Sequence, residues 1–390
     1  MITISQEDLN NTLNAVTRAS LKNSLMAAFS LVRLDARPDG QFILSCFNGE
    51  TAARAVTLAA CQEDLSVCVD AATLKAIVET LSGEIRIFPE GNSLVLQSAA
   101  NRTTLRVVEE ELPVIEEENA TSLTSLPGTI MRSLSRILPF ASTDSTRMIL
   151  QVLHLILDQT RMIAMTADGY SAGILQEGVE GPKDQVILSL PLGFARLLVT
   201  LIEDRDRVSI RTSGENRFLF EIRNEEQNKN LTVATVTSAE NFPAEQIKSL
   251  TEEARQNTIA TLNIQQSSLA QTIRMVHAMN AQSAFIKATG GVIKMASAET
   301  ETGQARNILE GTASGQDTSI WVSASYLKRA AEVTRGELIV RISGKQKPML
   351  VEADGFTTII MPMLVDGQKD PFPEDEAIAI SLPEMQVEPA

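Results

Sequence analysis

The chain has 390 residues, of which 44% are hydrophobic and 4% aromatic, and its formal net charge is −15. This length is too great for one ordinary core and predicts two or three domains. The negative charge argues against a nucleic-acid partner unless basic residues are concentrated on one surface, and the scarcity of aromatic residues argues against stacking of single-stranded bases.

The N-terminal segment and the cysteines indicate a cytoplasmic protein. The segment MITISQEDLNNTL lacks the basic and apolar regions of a signal peptide. No window approaches the roughly 18 apolar residues of a membrane span. Cys46, Cys61 and Cys68 form no CxxC motif, which favours reduced thiols in the core over a metal or redox site.

The chain repeats one order of elements three times. Each copy begins with an amphipathic helix, and in the first helix Leu9, Leu13, Val16 and Leu21 share one face. Ser5 followed by Asp8 is a capping signal for that helix. The three helix sequences are SQEDLNNTLNAVTRASLK from Ser5, LPGTIMRSLSRILPFAS from Leu126 and QQSSLAQTIRMVHAMNA from Gln265.

Alternating strands and a second helix follow in each copy. In FILSCFNGETAARAVTL and MIAMTADGYSAGILQ, a Gly follows Asn or Asp between apolar runs, which predicts hairpins with positive φ. The second helices begin in VDAATLKAIVET, LSLPLGFARLLVTL and WVSASYLKRAAEV. A period this long predicts three similar α+β domains with helices on one face of antiparallel sheets, at 1–120, 121–254 and 255–366. The acidic, Pro-containing segment 367–390 predicts a flexible tail.

Basic residues are concentrated in the six helices of the repeat. Only Glu79 and Glu332 oppose them well inside these helices, and most acids lie elsewhere. A shared helical face would therefore be positive and would attract a polyanion through its phosphates, without base recognition. For any single residue, a solvated helix surface is the alternative interpretation. The basic residues are Arg18, Lys22, Lys75, Arg132, Arg136, Arg196, Arg274, Lys328, Arg329 and Arg335.

The sequence offers little material for catalysis. It has two histidines, His154 in a predicted strand and His277 in a predicted helix. The motifs of serine hydrolases, zinc proteases and nucleotide-binding loops are absent. We therefore predict a non-catalytic protein that needs neither a metal nor a cofactor.

Four segments carry a resemblance to a known family. TADGYSAGIL at 166–175, NFPAEQI at 241–247, SASYLKRAAEV at 323–333 and TTIIMPMLV at 357–365 resemble, in order and spacing, motifs of the bacterial sliding clamp, the beta subunit of DNA polymerase III. The resemblance covers residues 1 to about 366. It implies a homodimeric ring of six similar domains that encircles duplex DNA and tethers polymerase and clamp-loader subunits.

The resemblance also implies particular site residues. The nine basic residues from Arg18 to Arg329 would face the DNA. Leu105 and Val107 would meet Ala278 and Met279 of a second copy, with Arg102 and Arg106 near Glu299 and Glu301. The partner-peptide pocket would be formed by Arg147, Ile149, Ala167, Gly169, Tyr170, Ala172, Pro243, Ile247, Tyr326, Pro348, Ile359, Met361, Pro362 and Met363.

The sequence departs from the family at this pocket and at its end. The family has His where Tyr170 stands, a large aliphatic residue at Ala172 and often an aromatic at Ile149, so the peptide preference is open. The tail extends beyond the usual end of the family, and its first interpretation is an exposed disordered end. The alternative hypothesis is that Ile380, Leu382 and Met385 dock transiently in the 169–172/359–363 pocket and compete with partner peptides. A clamp-like scaffold or inhibitor that binds replication proteins without encircling DNA is the alternative function.

Overall fold

The computed structural model describes residues 1–390 except 23, 100, 114, 116–118, 215, 239–240, 365–369 and 373–390. The chain divides into two compact units. The first unit contains residues 1–248 and 355–357, and the second contains 249–354 and 358–390. Both units consist of antiparallel sheets with helices, which confirms the predicted α+β class.

The first unit contains seventeen strands and four α-helices among its described residues. They are β1 (Ile2–Ser5), α1 (Gln6–Val16), β2 (Leu31–Ala36), β3 (Gln41–Phe47), β4 (Thr51–Leu58), β5 (Ala60–Cys61), β6 (Leu65–Asp70), α2 (Ala71–Thr80), β7 (Glu84–Glu90), β8 (Ser93–Ser98), β9 (Asn101–Arg106), β10 (Thr121–Pro127), α3 (Gly128–Ser133), β11 (Val152–Leu157), β12 (Arg161–Ala167), β13 (Ser171–Gly178), β14 (Val186–Pro191), α4 (Leu192–Leu201), β15 (Arg207–Thr212), β16 (Arg217–Asn224) and β17 (Lys229–Val236). Helix α5 (Ala244–Gln256) leads from this unit into the second.

One long sheet joins the first two predicted domains. Its strand order is β10-β15-β16-β17-β4-β3-β2-β6, and the junction is the β4–β17 pair, where Ala53 lies opposite Val233. The other strands pair in the orders β5-β1-β7-β8-β9 and β14-β11-β12-β13. This continuous backbone hydrogen bonding accounts for one compact unit over residues 1–248. The division into three domains stays a prediction.

The second unit contains the third copy of the pattern. Its elements are β18 (Ala260–Gln265), α6 (Gln266–Ala278), β19 (Ser283–Thr289), β20 (Val292–Ser297), β21 (Arg306–Ile308), β22 (Gly311–Gly315), β23 (Thr318–Ser323), α7 (Ala324–Val333), β24 (Glu337–Ile342), β25 (Met349–Ala353) and most of β26 (Phe356–Ile360). One sheet has the order β21-β20-β19-β23, and another set pairs as β25-β24-β18-β22. The core between them includes Leu262, Leu269, Ile286, Leu327 and Val340.

Each of the six helices in the repeat follows directly on a strand. Within the units, α1 packs against α2, α3 against α4, and α6 against α7. Ser5 caps α1 as predicted, because its Oγ accepts a hydrogen bond from the Asp8 backbone N–H at 3.1 Å. Leu9, Leu13 and Val16 are buried on one face of α1. The prediction was wrong for Leu21, which is 44% exposed because α1 ends at Val16. The three pairs of strand–helix units therefore correspond to the three copies of the repeat in the sequence.

The helix predicted from Leu126 is shorter than its sequence suggests. Helix α3 ends at Ser133, and two 3-10 turns follow at Leu134–Arg136 and Leu138–Phe140. Pro139 has no backbone N–H to continue an α-helix. The Thr166 hydroxyl donates to the Ile137 carbonyl at 2.7 Å, which satisfies one of the carbonyls left free.

Both predicted hairpins are present. Gly49 between β3 and β4 has φ of 97°, and Gly169 between β12 and β13 has φ of 94°. The preceding Asn48 and Asp168 side chains each accept hydrogen bonds from two backbone N–H groups beyond the glycine. Asn or Asp followed by Gly is therefore a reliable turn signal in this chain.

The cysteines are free thiols. Cys46 and Cys68 are buried, and burial raises the pKa of both thiols above the ordinary value. They are thus protonated, unreactive core residues at neutral pH. No helix within the described ranges is long and apolar enough to cross a membrane.

The end of the chain differs in part from the predicted flexible tail. Pro371 and Phe372 are buried, because Phe372 packs against Phe285, Ala296 and Trp321 of the second unit. The proposed docking residues Ile380, Leu382 and Met385 lie outside the described residues.

Candidate functional site

The predicted DNA-facing residues lie on or directly after the six helices. In the first unit, Arg18 lies in the 3-10 turn Thr17–Ala19 after α1, and Lys22 lies in the turn that follows. Both side chains are exposed, and the other seven are exposed or half-buried. The remaining positions are Lys75 on α2, Arg132 on α3, Arg136 in the 3-10 turn after it, Arg196 on α4, Arg274 on α6, and Lys328 and Arg329 on α7.

Backbone and aromatic contacts hold several of these cations in place. The Arg18 guanidinium donates to the Thr200 carbonyl at the end of α4, at 2.8 Å. The Arg136 guanidinium lies 5.3 Å from the centre of the Phe356 ring, and that of Arg329 lies 5.2 Å from the Tyr326 ring. Such cation–π contacts leave the positive charge available to an anion.

Carboxylates partly offset the charge of three of these cations. Arg132 pairs with Asp204 at 2.8 Å, and the Lys75–Glu79 and Lys328–Glu332 pairs are longer, at 3.9 and 3.8 Å. All three pairs are solvent-exposed to a large extent, so each is worth little and phosphates can compete with it. The sequence analysis counted Glu79 and Glu332 but missed Asp204, which lies in the loop after α4.

Several first-unit residues of the predicted partner pocket lie at the β12–β13 hairpin. Arg147 donates from Nη1 to the Asp168 carbonyl at 2.9 Å, and its guanidinium lies 5.2 Å from the centre of the Tyr170 ring. A Cβ on Gly169 would lie 2.3 Å from Arg147 Nη1. Only glycine therefore allows the arginine to cross the hairpin, and Tyr170 projects outward with 56% of its surface exposed.

A groove lined by both apolar and polar side chains lies in the same unit. Its volume is about 820 Å³, and its walls include the apolar residues Ile149, Ile187, Phe242 and Pro243 beside polar residues such as Glu245. Ile149 and Ile187 are 42% and 56% exposed, so the groove presents aliphatic surface to solvent. The sequence analysis identified Ile149 and Pro243 but missed Ile187 and Phe242. The alternation in VILSL, which turns Ile187 outward, was the available signal.

Four other predicted pocket residues contribute little surface of their own. Ala167, Ala172 and Ile247 are buried in the first unit, and Ile359 is buried in the second. Of the remaining second-unit residues, Tyr326, Pro348, Met361 and Pro362 are half-buried, and Met363 is exposed. These positions stay predictions of function.

His154 forms part of the groove wall and is a β11 residue, as predicted. Its Nδ1 lies 3.0 Å from the Ser189 hydroxyl, and its ring stacks on Phe242 at 5.1 Å. Burial, and to a smaller extent the nearby Lys248, lowers the pKa of His154, while Glu245 acts in the opposite sense. The folded protein therefore favours the neutral imidazole.

We expect the folded protein to lose stability as the pH falls below about 6.5, because the unfolded chain then binds a proton more readily than the buried His154 does. Thermal unfolding at pH 7.5 and pH 5.0 measures this loss. His154→Asn should reduce the difference between the two pH values, whereas His277→Asn on α6 should preserve it. An equal pH dependence in both variants would contradict the role of His154.

The predicted dimer residues lie at the edge of one sheet and at the end of helix α6. Strand β9 is the last in the order β5-β1-β7-β8-β9, and Leu105 within it is 8% exposed, opposite Leu94 on the core-facing side. Leu105 can therefore meet a second copy through its backbone and not through its side chain. Val107 follows β9. Ala278, the last residue of α6, is exposed, and Met279 directly after it is half-buried.

Comparison with known proteins relates this fold to one class. No protein-family model matches the chain, and no curated protein matches its sequence. Solved structures do match: the fold is that of the bacterial DNA polymerase sliding clamps, as the sequence resemblance predicted.

Three clamp structures illustrate the match. The DNA polymerase sliding clamp of Bacillus subtilis has a TM-score of 0.84 at 17% identity, over 93% of this chain and 99% of the clamp. The DNA polymerase III beta subunit of Pseudomonas aeruginosa has a TM-score of 0.83 at 17% identity, over 93% and 100%. The beta subunit of Thermotoga maritima has a TM-score of 0.81 at 15% identity, over 93% and 99%.

Proposed function

We propose that this chain is a divergent bacterial sliding clamp. Two copies would close head to tail into a ring around duplex DNA, and the ring would tether a polymerase and other DNA-processing proteins. The observation that carries the proposal is the match to whole clamp chains at TM-scores of 0.81–0.84. The proposed role is non-catalytic and cytoplasmic, and it needs no cofactor.

The distribution of charge supports a DNA-facing surface. Nine basic residues lie on or directly after the helices of the repeat, although the whole chain carries a net charge of −15. A negative protein with positive helices would repel DNA from its outer surface and accept it along the helices. Contacts from long Lys and Arg side chains to phosphates fix no sequence register, which suits a ring that slides.

The exposed apolar side chains of the first unit support a partner-binding role. A short peptide with aliphatic or aromatic anchors would cover Ile149, Ile187 and Tyr170. The second-unit residues Tyr326, Met361 and Met363 are proposed for the same role on the basis of the family resemblance. Methionine side chains repack at low cost, which suits a surface shared by several peptides.

Loading on circular DNA tests the proposal. We expect the protein, with its cognate clamp loader, to remain on nicked circular plasmid during gel filtration and to be lost when the plasmid is linearised. Loss on linearisation separates topological retention from affinity. Failure to be retained on circular DNA, together with normal binding to polymerase, would instead favour a scaffold that does not encircle DNA.

The assignment of the inner surface has a test of its own. Replacement of Arg18, Arg136, Arg196 and Lys328 by Ala should reduce loading and retention. Each lost phosphate contact should reduce the slope of log affinity against log salt by about one unit. The matched control replaces Arg86, Arg205, Arg217 and Lys347, which are exposed and lie outside the helices. A helix variant that loads like the parent would show that the assignment is wrong.

A further inference from the structure

The outer face of the sheet β21-β20-β19-β23 carries two adjacent rows of side chains. In one row, Phe285 lies opposite Ala296 on one side and Trp321 on the other. In the next row, Lys287 lies opposite Lys294. Residues two apart on a strand project to the same face. An apolar row therefore lies directly beside a basic one on this face, while neighbouring residues such as Ile286 project into the core.

The segment Asp370–Phe372 lies on these two rows. The Phe372 side chain packs with Phe285, Ala296 and Trp321, and its ring centre lies 6.5 Å from that of Phe285. Phe372 is 4% exposed, as is Phe285. Each ring therefore removes the other from water, and without Phe372 the face would present an open aromatic patch.

Polar contacts hold the same segment at both ends. Lys287 Nζ donates to Asp370 Oδ2 at 2.6 Å and to the Phe372 carbonyl at 2.7 Å. The Phe372 N–H donates to Asp370 Oδ1 at 2.8 Å. The Lys287 side chain is 15% exposed, and charge-assisted bonds shielded in this way are stronger than surface ones.

The residue between the two anchors favours the bound shape. Pro371 restricts its own φ before binding, so less conformational entropy is lost when Asp370 and Phe372 are held together. The Lys294 ammonium lies 5.6 Å from the centre of the Phe372 ring and adds an attraction to its π face. Lys287 therefore binds the Asp370 carboxylate, while Lys294 and the apolar row both contact the Phe372 ring.

We propose that this face is a peptide-binding surface specific for an Asp-Pro-Phe segment, and that the chain's own Asp370–Phe372 occupies it in cis. The covalent connection gives the segment a high local concentration at the surface. A partner peptide with the same acidic and aromatic anchors would bind only when the internal segment is displaced. This inference does not rest on the clamp function, because it uses residues of the second unit alone.

Trp321 provides a direct measurement of occupancy. It is the only tryptophan of the chain, and it belongs to the cluster that Phe372 completes. We expect Phe372→Ala, and deletion of residues 367–390, to shift Trp321 emission to longer wavelength and to increase its quenching by acrylamide. Emission identical to that of the parent would overturn the proposal.

Binding in trans tests the specificity of the surface. A fluorescein-labelled peptide with the sequence of residues 367–375 should bind the protein that lacks 367–390 at least tenfold more tightly than the full chain, by fluorescence anisotropy. Lys287→Met in the shortened protein should weaken binding at least tenfold, whereas Lys347→Met, a control lysine paired with Glu253, should not. Circular dichroism verifies that each variant is folded. Equal binding to the full and shortened proteins, or equal binding of a peptide with Asp370 and Phe372 exchanged for Ala, would overturn the proposal.

Discussion

Replacement of Asp206 by Ala is expected to lower the free energy of unfolding by about 3 kcal/mol, because the only carboxylate that then remains near the largely buried Lys229 among the described residues is the exposed Glu203, at 4.0 Å. The Asp206 side chain has no exposed surface, and its Oδ2 accepts from Lys229 Nζ at 2.6 Å. The same oxygen accepts from the Glu203 N–H at 2.8 Å, and Oδ1 accepts from the Asn224 side chain at 3.2 Å.

These bonds connect several elements of the first unit. Lys229 at the start of β17 also donates to the Leu201 carbonyl at the end of α4, at 2.8 Å. The Asp206 carbonyl accepts from the Gly128 N–H at the start of α3. A Cβ on Gly128 would lie 2.0 Å from the Glu203 carbonyl oxygen, so the loop after α4 packs closely on α3. Loss of the Asp206 carboxylate should therefore disturb the base of the α3–α4 pair.

Asp204, two residues away, provides the matched control. It pairs with Arg132 at a similar distance, 2.8 Å, but both side chains are about half exposed or more. Asp204→Ala should therefore change the free energy of unfolding by less than about 1 kcal/mol. Urea titration followed by circular dichroism compares the two variants. A cost for Asp206→Ala no greater than that for Asp204→Ala would refute the importance of burial for this pair.

Local signals in the sequence identified most of the elements but not these connections. The Ser5 cap, the Asn48-Gly49 and Asp168-Gly169 turns and the helical stripe of α1 depend on neighbouring residues, and all were predictable. Pro139 is a local sign that α3 ends early, but the apolar residues at helical spacing around it favoured a longer helix. The Lys229–Asp206 pair joins residues 23 apart and could not be inferred from either position alone.

The contacts of the tail were also not predictable from local sequence. In KDPFPEDE, acids and prolines indicate solvated chain, and nothing nearby marks Phe372 as an anchor. Its partners are more than 50 residues earlier, and Lys287 is 85 positions away. The basic row and the apolar row exist only after β19, β20 and β23 have paired. For the candidate site, helix assignment placed the basic residues correctly, whereas the groove residues Ile187 and Phe242 required tertiary structure.

Reversal of charge at Arg102 and Arg106 is expected to convert a dimer of this chain into monomers, if the proposed ring forms. Strand β9 ends one sheet and β21 ends another, and the backbone edges of such strands can pair between copies. Val107, Ala278 and Met279 would lie beside that junction.

The charges near these two strands have opposite signs. Arg102 and Arg106 lie on β9, and Glu299 and Glu301 lie shortly before β21, all of them exposed. In a head-to-tail ring both junctions use the same contact, so one substitution weakens the ring twice. Arg102 also pairs with Glu90 in its own chain, at 2.7 Å, so Arg106 should contribute more of the attraction between copies.

Solution mass from light scattering at micromolar concentration distinguishes two chains from one. The double variant Arg102→Glu/Arg106→Glu should shift the mass toward a single chain, and the shift should be larger at low salt because screening is then weaker. Arg86→Glu is the matched control, since Arg86 is exposed on the same sheet but lies on β7, two strands from the edge.

A second pair of substitutions, Glu299→Arg/Glu301→Arg, should restore the dimer in the double variant by exchanging the signs. A parent protein that is monomeric under these conditions, or a double variant with the mass of the parent, would be inconsistent with closure through β9. Rescue by the exchanged charges would in turn assign the two sides of the junction, because a nonspecific loss of folding could not be reversed by substitutions in the other unit.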